Sequence, residues 1–279
     1  MQTHMAVFLL YLKLADCQIV LVLLFDSVVK AIMNVRFDGK RALVTGAGKG
    51  IGREIVKKLV ECGAETIALS RTQADLDSLK QECPSLIPIR CDLADTDSIP
   101  NALKDCGPID LLVNNAGIAV ADIVLDAKPA DFDKSMTINV KAPIVISQII
   151  AEGMIKRKTG GSIVNVSSKA SLRGMQNYLL YAASKAALDS VTRTMSLELG
   201  PHNIRVNSVN PTVAKTDMSK AVWDNPANTK MLTSVIPLGR LAEISEVVSV
   251  ILFLLSDFSS MVTGSCVPID GGCIANLMT

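Results

Sequence analysis

The chain has 279 residues and a formal net charge of +1, and 49% of its residues are hydrophobic against 20% charged. This composition is typical of a globular protein with a sizeable core and argues against a disordered chain. The near-neutral charge gives no electrostatic reason to expect a nucleic-acid partner. The seven cysteines include no CxxC pair, so we predict free thiols rather than a zinc site or a disulfide framework. His4 and His202 are too few and too isolated for a metal cluster, and we predict no metal.

The first 32 residues differ from the rest of the chain. Two apolar runs, 5–12 and 17–25, are separated by Lys13 and Asp16, and neither reaches the roughly 20 residues that a membrane-spanning helix needs. The basic region and the small-residue cleavage site of a signal peptide are not clear either. Three interpretations stay open for residues 1–32: a membrane anchor, an added apolar helix, or a non-native extension from an upstream start codon. We predict one globular domain over 33–279.

From Arg41 onwards, short runs rich in β-branched residues alternate with longer helical patterns. The predicted strands cover residues 42–44, 66–70, 86–90, 111–113, 163–166, 204–209 and 266–269. The predicted helices cover residues 51–62, 74–82, 97–104, 131–155, 181–199 and 243–255. Continuous apolar strands joined by right-handed helical crossovers predict an α/β fold: a Rossmann-like, doubly wound parallel sheet of about seven strands with helices on both faces. Residues 212–237 lack a strand pattern and form a candidate lid.

A glycine-rich turn connects the first predicted strand to the first predicted helix. From Thr45 to Gly52 it reads Thr-Gly-Ala-Gly-Lys-Gly-Ile-Gly. Glycines let the backbone approach a pyrophosphate, and a helix N-terminus favours negative charge there, so this context predicts a dinucleotide site. The predicted contacts in the turn are Gly46, Gly48, Lys49, Gly50, Ile51 and Gly52.

The end of the second strand predicts which dinucleotide binds. An acidic residue there would accept a hydrogen bond from the ribose 2′-hydroxyl of NAD, but the chain reads Leu69-Ser70-Arg71-Thr72. Arg71 can pair with a 2′-phosphate, and Ser70 and Thr72 can donate to it, with Lys49 as a second cation. We therefore predict NADPH as the cofactor. The alternative is that Arg71 is only a solvated charge at the end of a strand.

Further cofactor contacts are predicted where later strands end, because ligands of such sheets bind at the carboxyl edge. Asn-Asn-Ala-Gly at 114–117 follows the fourth strand, and Asn-Pro-Thr-Val at 210–213 follows the sixth. From these segments and the end of the third strand, the predicted contacts are Asp92, Leu93, Asn114, Ala116, Gly117, Pro211, Val213 and Thr216.

The candidate catalytic residues are Ser168, Tyr181 and Lys185, together with Asn139. Tyr181 and Lys185 are four residues apart and share one face of a helix, and Ser168 follows the fifth strand. Tyrosine has an ordinary pKa of about 10, and a nearby Lys⁺ and an oxidised nicotinamide both lower the pKa of the phenol toward the range of efficient proton transfer. In reduction, Tyr181 would protonate the nascent alkoxide and Ser168 would hold the carbonyl oxygen. Lys185 would also hydrogen-bond the nicotinamide ribose, so Tyr181 and Lys185 count among the cofactor contacts as well.

Asn139 lies inside a predicted helix although asparagine is a middling helix former, which indicates a role such as relaying a proton through water. The alternative is a side chain that faces solvent. Tyr178, close to the catalytic residues, and Trp223, in the candidate lid, are the predicted substrate contacts beside Ser168.

Together these residues resemble the short-chain dehydrogenase/reductase family over about residues 34–279. The similarity rests on the glycine turn, the Asn-Asn-Ala-Gly segment, the Ser-Tyr-Lys set with Asn139, and Pro-Ile-Asp-Gly-Gly at 268–272. The resemblance implies NADPH-dependent reduction of carbonyl compounds, most closely of L-xylulose to xylitol and of α-dicarbonyls such as diacetyl, by a homotetramer. Enzymes of this kind begin near Met33. We expect a cytoplasmic protein, or one that associates with a membrane through residues 5–25 alone.

One stretch departs from the pattern that this resemblance implies. Residues 169–180 line the predicted substrate side, and Tyr178 stands where a histidine is expected, so reduction of dicarbonyls is a safer expectation than reduction of sugars. Two other functions stay open. One is reduction of a 3-oxoacyl group on an acidic carrier protein, for which Lys215 and Lys220 offer a thin basic surface. The other is NADPH binding without catalysis, against which the intact Ser-Tyr-Lys set argues.

Overall fold

The computed structural model describes residues 35–216 and 219–276, and the fold below is that of the unit Phe37–Thr279. The predictions for residues 1–32, including the membrane anchor, lie outside the described residues. The strands are β1 (Arg41–Thr45), β2 (Glu65–Ser70), β3 (Ile87–Arg90), β4 (Leu111–Asn114), β5 (Gly161–Val166), β6 (Ile204–Pro211) and β7 (Cys266–Ile269). The helices are α1 (Gly50–Glu61), α2 (Gln73–Glu82), α3 (Ile99–Leu103), α4 (Pro129–Met136), α5 (Ala142–Arg157), α6 (Leu179–Leu199), α7 (Lys220–Trp223), α8 (Pro226–Ser234) and α9 (Ile244–Leu255).

The seven strands form one parallel sheet in the order β3-β2-β1-β4-β5-β6-β7. In β1, Leu43 pairs with Ile67 of β2 on one side and with Leu112 of β4 on the other. The strand order reverses between β1 and β4, which is the switch point where ligands bind in doubly wound sheets. The predicted α/β class with about seven parallel strands is therefore confirmed.

Helices cover the sheet, and the inner strands are buried between them. Leu43, Ile67, Leu112, Ile163 and Val206, one from each of the five inner strands, are fully buried in one cluster that also contains side chains of α5. Burial on both faces explains why these strands read as continuous apolar runs rather than as alternating patterns. At about 1.5–3 kcal/mol for each fully buried aliphatic side chain, this layer stabilises the sheet edge from which the functional side chains project.

The long helical segment Pro129–Arg157 consists of α4, a π-helical turn at Thr137–Lys141, and α5. It agrees with the helix predicted over 131–155. By length and composition it could cross a membrane, but 56% of its most apolar window is buried inside the protein, as in the core helix of a folded domain. The π turn adds a residue to one turn of the helix, a distortion that is frequent at functional sites, and it carries Asn139.

Two segments differ from simple expectation. Residues 97–104, predicted as one helix, form a 3₁₀ turn at Thr96–Ser98 followed by the short α3. Pro100 explains the break, because proline has no N–H to donate and is tolerated only in the first turn of a helix. The candidate lid over 212–237 begins directly after β6 and contains the two short helices α7 and α8. As predicted, its described residues include no strand of the sheet.

Candidate active site

A cavity of about 1000 Å³ opens along the carboxyl edge of the sheet. Its walls come from the segments that follow the first six strands, β1 to β6, from α6 and from the candidate lid. Most of the predicted site residues line it: Gly46, Gly48, Lys49, Gly50, Ile51, Ser70, Arg71, Thr72, Asp92, Leu93, Ala116, Gly117, Ser168, Tyr178, Tyr181, Lys185, Pro211, Val213 and Thr216. Among the predicted residues that the structure describes, those outside the lining are Gly52, Asn114, Asn139 and Trp223.

The glycine turn brings main chain close to main chain at the cavity wall. Gly46 has a φ of 62°, and a Cβ on it would lie 2.7 Å from the Cα of Ala116. A Cβ on Gly52 would lie 2.3 Å from the carbonyl oxygen of Gly46, so Gly52 packs α1 against the turn instead of lining the cavity. Any side chain at either position would force the two segments apart, which is the physical reason for glycine at these two places.

Asn115, which the sequence did not single out, ties β4 to this turn. Its Nδ2 donates to the carbonyl oxygens of Thr45 (3.0 Å) and Gly46 (3.1 Å), and it lines the cavity. Asn114, the predicted cofactor contact, points into the core and donates from Nδ2 to Oδ1 of Asn165 at 2.8 Å. Successive side chains of a strand point to opposite faces, so only one of the two asparagines can reach the cavity.

A cluster of cations and hydroxyl groups lies where β2 ends. Ser70, Arg71 and Thr72 line the cavity there, and the Nζ of Lys49 lies 3.7 Å from Oδ1 of Asp75. Asp75 was not singled out because it belongs to α2 rather than to the end of β2. The two cations are Lys49 and Arg71, and the hydroxyl donors are Ser70 and Thr72. The one carboxylate, that of Asp75, already faces Lys49. This end of the cavity therefore favours an anion such as a 2′-phosphate.

Helix α6 places a phenol and an ammonium on the same side of the cavity. The Nζ of Lys185 lies 5.8 Å from the centroid of the Tyr181 ring and donates to the carbonyl oxygen of Val166 at 2.8 Å. Burial lowers the pKa of Lys185 from 10.5 to about 8, and the negative charge of Asp189 opposes this change. The lysine is therefore still charged at neutral pH, although it is buried.

Burial raises the pKa of the Tyr181 phenol from its ordinary value. The hydrogen bond with Ser168 opposes this change, and Tyr178 adds a smaller increase. Burial acts in this direction because it removes the water that would solvate a phenolate, and the lowering expected from Lys185 and an oxidised nicotinamide together stays a prediction for the cofactor-bound enzyme. Since even the ordinary pKa of a tyrosine is about 10, Tyr181 is a neutral phenol at neutral pH. That is the protonation state of a proton donor, which suits reduction.

Buried polar groups behind Ser168 hold its main chain. The Nδ2 of Asn210 donates to the carbonyl oxygen of Ser168 (3.2 Å) and to Oδ2 of Asp189 (2.7 Å). Asp189 and Asn210 are both almost fully buried. The sequence did not single out Asp189, although its position four residues after Lys185 places it on the same face of α6, a signal that could have found it.

Asn139 is completely buried in the π-helical turn, so the interpretation as a solvent-facing side chain is wrong. Its Oδ1 accepts from the main-chain N of Ile118, and its Nδ2 donates to the carbonyl oxygen of Ile118 and to Oγ of Ser184, each at 2.9 Å. These bonds join the segment after β4 to α6. A Cβ on Gly117 would lie 3.2 Å from both Oδ1 of Asn139 and Nζ of Lys185, so glycine leaves room for both groups.

The N-terminus of α6 is capped from a distant segment. Tyr178 occupies the N-cap position without a side-chain cap, and Asp122 accepts from the main-chain N of Leu180 at 3.2 Å instead. The main-chain N of Asp122 donates to the carbonyl oxygen of Asn177 at 2.9 Å. The rings of Tyr178 and Tyr181 meet edge to face, with centroids 6.2 Å apart. No local pattern points to Asp122, because its partner is 58 residues away.

Trp223 is not among the residues that line the cavity, and its contact with a substrate stays a prediction. Its Nε1 donates to the carbonyl oxygen of Thr216 at 3.1 Å, and its ring packs against a small apolar cluster that includes Ile236 and Leu241. The large aromatic ring is better accommodated in this cluster than beside water. From α8 and the residue that follows it, the side of the cavity is lined by Asn228, Met231, Leu232 and Val235. The first three share one face of α8, which their spacing could have shown.

The cavity fits a phosphorylated pyridine dinucleotide on features of its own. The glycine turn and the N-terminus of α1 suit a pyrophosphate, and the cations beside β2 suit a further phosphate. After β6, Oγ1 of Thr212 is buried and has no hydrogen-bond partner among the described residues, although Thr212 lines the cavity. A buried hydroxyl left unpaired costs about 1–3 kcal/mol, so a polar group such as the nicotinamide carboxamide is expected to satisfy it.

Comparisons with known proteins agree with this geometry. A family model described as enoyl-(acyl carrier protein) reductase matches residues 46–273. The chain is 54% identical over 243 residues to L-xylulose reductase of Bos taurus, covering 87% of this chain and 100% of that protein. It is 46% identical over 244 residues to carbonyl reductase (NADPH) 2 of Sus scrofa, covering 88% and 100%. A solved gluconate 5-dehydrogenase from Burkholderia cenocepacia, in complex with NADP and tartrate, matches with a TM-score of 0.82 at 29% identity, covering 88% of this chain and 99% of that one.

Proposed function

The chain belongs to the short-chain dehydrogenase/reductase family, and from this premise we propose that it reduces L-xylulose to xylitol and α-dicarbonyls such as diacetyl to hydroxyketones. It is an NADP-dependent oxidoreductase that acts on carbonyl compounds. The observation that carries the proposal is that Ser168, Tyr181 and Lys185 face the same cavity as the glycine turn. The names of the relatives in Bos taurus and Sus scrofa support the two substrate classes.

The residues that would hold the cofactor follow the length of the cavity. The 2′-phosphate would lie at Ser70, Arg71, Thr72 and Lys49, the adenine beside Asp92 and Leu93, and the pyrophosphate along Gly46, Gly48, Gly50 and Ile51. The nicotinamide end would contact Ala116, Gly117, Tyr181, Lys185, Pro211, Thr212, Val213 and Thr216. When bound, the reduced nicotinamide supplies the hydride that reduces the carbonyl carbon.

The protein's own part in the reaction is to orient the carbonyl and to deliver a proton. The Ser168 hydroxyl holds the carbonyl oxygen as negative charge develops on it. Tyr181, a neutral phenol, donates its proton to that oxygen. The ammonium of Lys185 then stabilises the phenolate that remains. Asn139 holds the main chain of Ile118, so that this segment stays beside Lys185. A water molecule next to Lys185 would be the source from which the Tyr181 phenolate regains its proton.

The substrate side of the cavity combines apolar walls with a few polar groups. Met231, Leu232 and Val235 supply apolar surface, while Tyr178 and Asn228 supply hydrogen-bonding groups. This mixture suits a small molecule with a second oxygen close to the reacting carbonyl. Because Tyr178 is bulkier than the histidine expected from the resemblance, we expect diacetyl to be the better substrate of the two.

Reduction of a 3-oxoacyl group on a carrier protein is a weaker second candidate. Its basic surface would come from Lys215 and Lys220, but the Nζ of Lys215 lies 2.6 Å from Oε1 of Glu243. An ion pair of this kind leaves little positive charge to attract an acidic carrier. NADPH binding without turnover has no feature of the site in its favour.

The proposal includes a homotetramer. Large apolar side chains are exposed near the ends of α6 and α9 and after them: Leu197, Phe253, Phe258 and Met261. Clusters of exposed apolar side chains often mark interfaces between subunits. Light scattering should give four times the mass of the chain, and a monomer at working concentration would contradict this part of the proposal.

We propose a cytoplasmic location. A membrane association would depend on residues 5–25, which are outside the described part of the chain. Carbonate extraction of a membrane fraction tests it, because an anchored protein stays in the pellet while a peripheral or soluble one is released. Retention in the pellet would contradict the cytoplasmic proposal.

The activity test follows NADPH absorbance with the full chain and with L-xylulose and diacetyl as substrates. We expect turnover of both, and a loss of about 10²–10⁴-fold in kcat for Tyr181→Phe, the range for a missing general acid. Tyr178→Phe is the matched control, because it removes a hydroxyl from the neighbouring ring without removing the proton donor. Turnover of diacetyl alone would exclude the sugar. Turnover of neither would refute the proposed function.

A further inference from the structure

Lys169 is a cation of the cavity that the proposed mechanism does not use. It directly follows Ser168, it lines the cavity, and its side chain is half-buried. Its Nζ lies 3.6 Å from Sγ of Cys273, which also lines the cavity. A thiol is a weak acceptor, so this contact satisfies little of the hydrogen-bonding capacity of an ammonium, which has three donors.

Among the described residues that line the cavity, none near Lys169 has an acidic side chain. The acidic residues in that lining are Asp75 and Asp92, which lie at the dinucleotide end, after β2 and β3. The neighbouring cation, Arg173, directs Nη1 to the main-chain carbonyl oxygen of Asn276 at 3.1 Å and so helps to hold the C-terminal segment. The substrate side of the cavity therefore carries a positive charge that a bound anion could neutralise.

The same side of the cavity offers neutral hydrogen-bonding groups. The amide side chains of Gln176, Asn177 and Asn228 line it. Each amide can donate and accept, which matches hydroxyl groups on a ligand. A ligand with a carboxylate at one end and hydroxyl groups along its chain would therefore find a partner for each polar group.

We propose that the enzyme reduces small hydroxylated ketones that carry a carboxylate, and that Lys169 binds this carboxylate while Ser168 and Tyr181 hold the carbonyl oxygen. The inference rests on the proposed function and names a further substrate class for the same site. The ketone carbon gains a hydride from NADPH and the oxygen gains a proton from Tyr181, which yields a secondary alcohol and NADP⁺. The carboxylate is unchanged and serves to orient the chain. An ammonium–carboxylate contact is roughly twice as strong as a neutral hydrogen bond, and burial in the cavity strengthens it.

The test compares 5-keto-D-gluconate with L-sorbose, which has a hydroxymethyl group in place of the carboxylate and is otherwise the same ketose. For the wild-type chain we expect kcat/KM to be about 10- to 100-fold higher for the keto acid, the range for one charge-assisted hydrogen bond. Lys169→Met should bring this ratio close to one, and Lys169→Arg should keep most of it. Lys230→Met is the matched control, because Lys230 is exposed on α8 outside the cavity and its loss changes the net charge by the same amount.

A second measurement depends on binding alone. Tartrate, a hydroxylated dicarboxylate without a reducible carbonyl, should inhibit diacetyl reduction competitively, and its uncharged counterpart threitol should not. Added salt and Lys169→Met should both weaken inhibition by tartrate. The wild-type measurements with salt do not depend on the folding of any variant.

The outcomes separate this inference from the proposed function. If the wild type reduces diacetyl but shows no preference for the keto acid, or if the preference survives Lys169→Met, the carboxylate site is refuted and the carbonyl reductase remains. If tartrate and threitol inhibit equally, the site is refuted as well. If the wild type reduces none of these carbonyl compounds, the proposed function itself fails.

Discussion

Lys185→Met separates the catalytic use of the buried ammonium from its effect on stability. Burial lowers the pKa of Lys185 from 10.5 to about 8, a difference that corresponds to about 3 kcal/mol of destabilisation when the lysine is charged. Methionine keeps most of the volume and removes the charge. It also removes the hydrogen bond to the carbonyl oxygen of Val166, which costs about 1–3 kcal/mol if that oxygen stays unpaired. We therefore expect the variant to be as stable as the wild type at neutral pH, or more stable by about 1 kcal/mol, while reduction is lost.

The sign of the pH dependence follows from the lowered pKa. The unfolded chain holds the proton on Lys185 up to pH 10.5, but the folded chain releases it near pH 8, so the unfolded state binds more protons between these values. The free energy of unfolding contributed by this group therefore rises with pH in that window. Relative to Lys185→Met, the wild type should gain about 2 kcal/mol between neutral pH and about pH 9.5.

The assay is urea unfolding followed by circular dichroism, without NADPH, because a bound cofactor would add its own stabilisation. Measuring the difference between the variant and the wild type cancels the other groups that titrate in this range. Lys156→Met serves as a control, because Lys156 is exposed and pairs with Glu152 on the surface of α5. If the stability difference between the wild type and Lys185→Met did not change with pH, the pKa of Lys185 would not be lowered by burial, and this prediction would be refuted.

Three further changes test other parts of the site. Arg71→Leu should reduce the preference for NADPH over NADH by about 10- to 100-fold, the loss expected for a charge-assisted contact with a 2′-phosphate, and the ratio of the two KM values measures it. Asn139→Ala leaves both main-chain groups of Ile118 without their partners, so urea unfolding should show a loss of about 2–4 kcal/mol; a smaller loss would mean that water replaces the amide. Asp122→Ala removes the cap of α6, and we expect about 1 kcal/mol of lost stability together with a lower kcat, because Tyr181 lies in the first turn of that helix. An unchanged kcat would separate the cap from the catalytic geometry.

The sequence alone predicted the fold, and most of the site residues that it predicted line the cavity. Apolar runs with helical crossovers predicted the parallel sheet because both faces of each inner strand are buried, and burial leaves a local pattern. The glycine turn was recognisable because a strand, a turn and a helix follow one another within a few residues. The Ser168, Tyr181 and Lys185 set was found in the same way, from spacing on one helix and from the end of one strand.

The tertiary structure decided what depends on partners distant in the chain. It placed Asn115 rather than Asn114 at the cavity, because the pleat of β4 turns them to opposite faces. It packed Trp223 against a small apolar cluster, and it gave Asp122 a positioning role through a hydrogen bond that no local pattern records. It also showed that burial raises the pKa of Tyr181, because residue spacing brings a lysine near but does not report how much water burial removes. Periodicity depends on residues that are close in the sequence and can be recognised there. Desolvation and long-range hydrogen bonds form only when the chain folds, so the sequence does not show them directly.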